Sequence, residues 1–448
     1  MNSISYYDAN QIEGRFMTIV LDNGKPENIS KNNVKGAGIR ALCHGSWGYT
    51  SIDGETDLSE GIGNASELAI SMNRRTPKEK VVLSDINKKK MKTENMPKIK
   101  KNPEDVSTEE KVEHLREIEK YAKTKGIKST RVSYSESVLT TKYMNSEGFE
   151  VEYKTVRCGF SISAVAAEGN NFQAGRESRF DIAGYEIFDR YKPFDLAAEA
   201  SKTALDLLKA KMPKGGTFPV ILDPELAGVF AHEAVGHASE ADLVLQNDSI
   251  LSGKLGKQVA SPLISVIDDP TIHAFGYYPF DAEGAPSKKT VLIQNGIMNS
   301  YMHSRETAGT FDGKSGSSGN ARAQGYAMPV VRMSNTYIDN GDASFEEMLE
   351  EIKDGIYLIG SRGGQVNTGE GVFQFNAEKG YLIKNGEIKE LVRDVSLSGQ
   401  TLEILNQIQR VGNDMKLHAG HCGKAGQTVP VTDGAPHLSI KKATVGGA

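Results

Sequence analysis

An α+β protein of two domains is what this sequence predicts, and three observations say so. Helix signals are sharp but few. Ser107 and Glu110 form an S-x-x-E capping pattern ahead of Val112, Leu115, Ile118 and Ala122, which recur on one helical face. Hairpin signals are strong: Asn295-Gly296 and Asn385-Gly386 each sit between apolar runs, where a left-handed pair of residues joins two strands. The chain has 448 residues, long enough for two or three domains, and 46 glycines suited to tight turns and close backbone approaches.

Residues 1–212 form the expected N-terminal domain, a mixed α/β unit that alternates strands and helices around an antiparallel sheet. The helix behind Ser107 belongs to it. Residues 128–180 read as strands folded about the turn Asn145-Ser146-Glu147-Gly148, and a second amphipathic helix runs from Phe194 to about Ala210. Residues 213–448 form the expected second domain, largely β after one helix. Gly313 to Gly319 lacks the G-x-x-x-x-G-K-[ST] pattern and no helix follows it, so it is not a phosphate loop. No repeat stands out at solenoid periods.

Composition narrows the class. The chain is 38% hydrophobic with a mean hydropathy of -0.41, as for a soluble protein, and no stretch is long and apolar enough to span a bilayer. The N-terminal Met1 to Tyr7 lacks a basic-then-apolar signal pattern. Three cysteines, none in a C-x-x-C pair, indicate a reducing compartment, so a cytoplasmic location is expected. A net charge of -5 gives no general attraction to nucleic acid. The lysine-rich segment 88–101 has no interleaved aromatics and reads as a solvated loop or edge.

The chemistry is concentrated in His232-Glu233-Ala234-Val235-Gly236-His237. Zinc hydrolysis needs neutral imidazoles to hold the metal and a carboxylate to take a proton from water. The familiar pattern H-E-x-x-H puts the histidines four apart on one helix face. Here they are five apart, which on a regular helix turns the second roughly 140° from the first. The motif is therefore either two unrelated histidines or a zinc site on a helix with a π-bulge, with Gly236 easing the distortion. The surroundings favour depth. Asp223-Pro224-Glu225 is a helix start, preceded by the strand-like run Phe218 to Leu222, and Leu226, Ala227, Val229 and Phe230 supply an apolar face. Glu240 and Asp242 follow as acceptors that could orient the imidazoles. A third ligand is required. Glu240 is one candidate. Cys422, in the glycine-rich loop His421 to Gln427, is another, its thiol favoured as thiolate by neighbouring histidine and lysine. Cys43 and Cys158 sit in apolar strand-like contexts and read as core.

The run 232–242 resembles the signature of the TldD half of the TldD/TldE (PmbA) metalloproteases. The resemblance extends along most of the chain, through Gly38 to Leu42 and Gly45 to Tyr49, Ser304 to Ala308, Gly319 to Arg322, Arg332 to Thr336, and Cys422-Gly423-Lys424. It implies a two-domain architecture of that family, with the motif helix in a β-rich catalytic domain. It implies a zinc peptidase in which His232, His237 and Cys422 hold Zn²⁺ and Glu233 is the catalytic base. It also implies pairing, as a homodimer or with a TldE-like paralogue lacking the motif. The expected substrate is an unfolded or small peptide, in extended form, for maturation or degradation. Arg305, Arg322 and several tyrosines are candidates for stabilising the oxyanion. Two other functions stay open: a non-catalytic interaction or regulatory subunit, and a zinc hydrolase of non-peptide amides.

Overall fold

The computed structural model describes residues 4–54, 57–76, 80–86, 96–311 and 316–447. The lysines at 88–90 and 92 and part of the glycine-rich run 313–319 lie outside these residues.

The N-terminal half is built on one six-stranded antiparallel sheet with the order β3-β2-β1-β4-β5-β6. Its strands are β1 (Ile4–Asp22), β2 (Lys25–Cys43), β3 (Ser46–Asp53), β4 (Ile127–Asn145), β5 (Glu150–Glu168) and β6 (Asn171–Asp181). Strict alternation of strands and helices does not occur. Two helices, Leu58–Arg75 and Thr108–Ala122, stand together between β3 and β4, and a third, Pro193–Lys209, follows β6. Antiparallel neighbours need only tight turns, so consecutive strands pair directly and no crossover helix is required. The turn between β4 and β5 is held by Asn145, whose side chain accepts from the N–H groups of Glu147 and Phe149. The Ser107–Glu110 capping box forms as the sequence predicts, and Val112, Leu115, Ile118 and Ala122 are all buried. They meet Met17, Ile19, Val132, Tyr134 and Phe160 of the sheet. Cys43 and Cys158 are both buried in core clusters.

The C-terminal half holds two larger sheets with a helix between them. One contains Val266–Asp268, Thr290–Gln294, Ile297–Met298, Asn335–Ile338, Gln427–Ala435 and, at its edge, Lys416–Lys424. The other is seven-stranded and includes Gly216–Leu222 and Leu438–Gly446 at its centre. Asn295-Gly296 and Asn385-Gly386 make the expected hairpin turns, all four residues having positive φ. Leu226, Ala227 and Phe230 of the intervening helix share one core with Phe373 and Phe375 on one side and Val429 and Val431 on the other. No helix among the described residues is long and apolar enough to cross a membrane.

The two halves are joined by buried polar contacts as well as by aromatic pairs such as Phe149–Phe280 and Phe180–Phe275. Arg40 on β2 donates to Asp8 on β1 and reaches across to Glu283 at 3.1 Å. Glu283 in turn accepts from the backbone N–H of Arg305. The Arg305 guanidinium donates to the Tyr6 hydroxyl and to both oxygens of Glu147. Trp47 donates to Glu306, and the Tyr49 hydroxyl to the carbonyl of Tyr326. Arg305 is thus a tie between the halves, with its donors already taken. Breaking a buried pair by removing one partner leaves an uncompensated charge. Arg40→Met, which strands Asp8 and Glu283, is expected to lower stability by about 3–5 kcal/mol, read as a fall in the urea midpoint. A midpoint like wild type would refute the role assigned to this network.

Candidate metal centre

The site begins with a helix that changes its pitch. Asp223 caps it, its carboxylate accepting from the N–H of Leu226, and Pro224 occupies the first turn. The helix runs regularly over Pro224–Phe230 and continues as a π turn over Ala231–Gly236. The N–H of His237 donates to the carbonyl of His232, a bond spanning five residues. That bond puts residues five apart one above the other. The two imidazoles therefore meet, ring centres 5.1 Å apart and edge to face. The π turn that the histidine spacing demands is present. The role of Gly236 differs from expectation. Its φ of -56° is ordinary helical backbone. What it supplies is room: a Cβ there would lie 1.9 Å from the Met333 sulfur.

Cys422 is not in a loop. It lies on the edge strand Lys416–Lys424, paired with Gln427–Ala435 through a two-residue turn at Ala425-Gly426. The left-handed Ala425, with φ of 51°, is a conformation residues bearing a Cβ seldom adopt, and the glycines around it read as loop in sequence. Side chains alternate along a strand, so Cys422 and Lys424 share a face. That face meets the motif helix. Cys422 Sγ lies 3.5 Å from His237 Nε2, and donor atoms of His232, His237 and Cys422 all fall within 4.8 Å of one another. Tetrahedral zinc with ordinary Zn–N and Zn–S bonds separates such atoms by about 3.6 Å.

Three further residues fix this arrangement. Lys424 Nζ donates to Glu240 at 2.9 Å, to both oxygens of Asp242 at 2.8 Å, and to the carbonyl of Val331. It pins the hairpin to the segment behind the motif. The buried guanidinium of Arg332 donates to the carbonyl of Cys422. Asp433, on the partner strand, lies 2.6 Å from His232 Nδ1. Sequence reading missed Asp433, since only the register of the hairpin brings it to the histidine. The segments Arg332 to Thr336 and Cys422 to Lys424 were the signals that something was held here.

Glu240 is fully buried and 3.2 Å from His237 Nδ1. It acts as an orienting acceptor and salt-bridge partner of Lys424 and does not join the three donor atoms. Asp242 orients no imidazole; both its oxygens serve Lys424. Each histidine thus uses Nδ1 for a carboxylate, which leaves Nε2 as the atom facing the centre. Glu233 stands beside the pair, one oxygen 3.9 Å from His237 Nε2, with its side chain 23% exposed. Arg322 donates to the carbonyls of Met333 and Pro430, so both of its bonded nitrogens brace the sheet.

The electrostatics favour a cation. Burial pushes the Cys422 thiol up, but His232 and His237 beside it reverse this and hold it at about 5. The causes are the imidazoles across the site, not the sequence neighbours His421 and Lys424. Burial pushes His237 down, and Glu240 and Cys422 outweigh it, raising it to about 10. His232 is raised in the same way, with Asp433 the leading opponent of burial. Burial raises Glu233 above the usual carboxylate range, against the pull of the two histidines. A soft thiolate and two imidazoles, each backed by a fixed partner, are a donor set that fits zinc.

Comparison with known proteins points the same way. Three models of the PmbA/TldA metallopeptidases match the chain: domain 1 over residues 7–72, the central domain over 101–208 and the C-terminal domain over 215–447. A metalloprotease of Methanocaldococcus jannaschii is 48% identical, covering 96% of this chain and 94% of its own. A zinc metalloprotease TldD homolog of Saccharolobus solfataricus is 34% identical, covering 94% and 91%. The crystal structure of TldE from Thermococcus kodakarensis superposes with a TM-score of 0.78 at 20% identity, covering 99% of this chain and 97% of that one. At that identity the likeness speaks for the fold alone.

Asp433→Asn keeps all three donor atoms and removes the charge behind His232. Zinc affinity, measured by competition with a chromogenic chelator, is expected to fall about 10–100-fold. An unchanged affinity would remove Asp433 from the site.

Proposed function

The chain belongs to the PmbA/TldD metallopeptidase family, and on that premise we propose that it is a zinc-dependent peptidase of the catalytic, TldD type. The observation that carries this reading is the convergence of His232, His237 and Cys422 within 4.8 Å, with Glu233 beside them. In this reading the three residues hold zinc, which would supply Lewis-acid polarisation of a peptide carbonyl and activation of water. Asp433 and Glu240 accept at Nδ1 of His232 and His237 and fix the ring orientations, so that Nε2 of each would give up its proton to coordinate the metal. Glu233 takes the proton from the attacking water and returns it to the leaving amine nitrogen. Its raised proton affinity suits a group that must both accept and release a proton near neutral pH.

The substrate is an unfolded or small peptide bound in extended form. The strand carrying Cys422 ends its sheet, so its outer edge offers main-chain hydrogen bonds beside the ligand cluster. Such bonding tolerates varied side chains and suits peptide maturation or degradation. The protein acts as a dimer, with itself or with a TldE-like paralogue, that encloses the site and excludes folded proteins. A cytoplasmic location accords with a reactive thiolate kept reduced.

Two substitutions separate the roles. Cys422→Ala is expected to lose stoichiometric zinc after dialysis, together with activity. Glu233→Ala is expected to retain zinc and to lose at least about 10²-fold in cleavage of an unfolded peptide. Zinc retained in the first variant, or lost in the second, would overturn the assignment. Sedimentation showing a fully active monomer would refute the dimer, and a purified wild type that binds zinc yet cleaves no peptide would favour an interaction subunit or a hydrolase of other amides.

A further inference from the structure

A cavity of about 430 Å³ lies between the N-terminal sheet and the ligand hairpin, on the side away from the metal centre. His421 lines it, and on a strand that side chain points opposite to its neighbour Cys422. None of His232, Glu233, His237 or Cys422 borders it. Its walls are aromatic, with Phe16, Phe180, Phe275 and Phe280 among them.

The charges on these walls do not cancel. Glu136 is neutralised by Lys111 at 2.7 Å and Arg15 at 3.0 Å. Asp281 has its carboxylate taken by the backbone N–H groups of Glu283, Ala285 and Ala321, and burial, with Glu283 the next cause, raises its proton affinity. Arg157 and Arg322 remain. Arg157 donates to the carbonyls of Phe275 and Tyr277, and Arg322 to those of Met333 and Pro430. Carbonyl dipoles solvate a guanidinium but carry no net charge, and neither arginine has a carboxylate within ion-pair distance among the described residues. Burial lowers the proton affinity of Arg157 to about 10, with repulsion from Arg322 the next cause, and burial lowers that of Arg322 against the pull of Tyr278; a guanidinium keeps its charge at neutral pH. Asn10, 9% exposed, also lines the cavity, and its Oδ1 has no partner.

Two like charges beside an aromatic-walled space, Arg322 buried and Arg157 partly buried, repel one another and favour an anion that joins them. We propose that this cavity is a second ligand site, distinct from the metal centre, that takes a small organic anion: a carboxylate carried on an aromatic body. The carboxylate sits between Arg157 and Arg322, where planar donors favour it. The aromatic body packs on the phenylalanines, and the Asn10 amide meets a polar substituent. The site lies at a junction between the two halves, where small-molecule pockets concentrate.

The probe is 3-phenylpropionate, with 3-phenylpropanamide as the neutral isostere, titrated into the full-length protein by calorimetry. The acid is expected to bind at least tenfold more tightly than the amide. Binding is expected to persist in His232→Ala, which disables the metal centre, and to weaken at least tenfold in Arg157→Gln. Ser137→Phe, which fills the cavity from β4 and keeps both arginines, is expected to abolish it. No binding, equal binding of acid and amide, or binding that survives Arg157→Gln and Ser137→Phe but is lost in His232→Ala would overturn the proposal. The last result would place the carboxylate on the metal.

Discussion

One hydrogen bond organises the functional half of this protein. The N–H of His237 reaches the carbonyl of His232, five residues back, where a regular helix would reach only four. Without it the imidazoles diverge and cannot share a partner. With it they face one another. A π turn has poorer geometry than the α-helix on either side and persists where something else fixes it. Here the turn is wedged between sheets, with Met333 pressed so closely against Gly236 that a Cβ there would lie 1.9 Å from its sulfur and force that side chain to move. Packing holds the distortion, and the distortion makes the histidine pair.

The pair is useful only because the hairpin brings its third member. Cys422 is 185 positions from His237, and three contacts set its place. Arg332 grips its carbonyl, Lys424 ties the same strand to Glu240 and Asp242, and Asp433 on the neighbouring strand holds His232. Each of these contacts also shapes the charge. The carboxylates raise the proton affinity of the histidines, and the histidines stabilise the thiolate. The result is a compact, buried, electron-rich cluster whose donors are oriented before any ligand arrives, as a metal site requires. Buried ionic networks contribute little net stability, so their value here is geometric.

The N-terminal sheet adds no residue to the cluster, yet its ion pairs position what surrounds it. Arg40, Asp8, Glu283 and Arg305 form a continuous chain from β1 and β2 into the segment around residue 305. The long antiparallel strands and the helices packed on them form a stiff platform, and the hairpin bearing Cys422 lies between that platform and the motif helix. The cavity lined by Arg157 and Arg322 lies where the aromatic-rich surfaces of the platform and the hairpin meet without filling the space between them.

Much of this was legible in the sequence because it is local. The Ser107 box, the Asn-Gly turns and the Asp223-Pro224 helix start depend on residues a few positions apart, and they form as read. The five-residue spacing of His232 and His237 by itself required a π turn if the two were to meet. The resemblance, spread over distant segments, gave the family. Other features belong to the tertiary structure. Cys422 read as loop because its glycines and left-handed Ala425 hide a strand, and strand pairing is decided by a partner. Asp433 was invisible because only hairpin register sets it beside a histidine 201 positions away. Glu240 could be ligand or orienting group until the direction of His237 Nδ1 was known, and Gly236 served space rather than backbone freedom because of Met333, a residue 97 positions away in sequence. Short-range chemistry is written in spacing; which groups meet across the fold is set by packing and register, which no single segment contains.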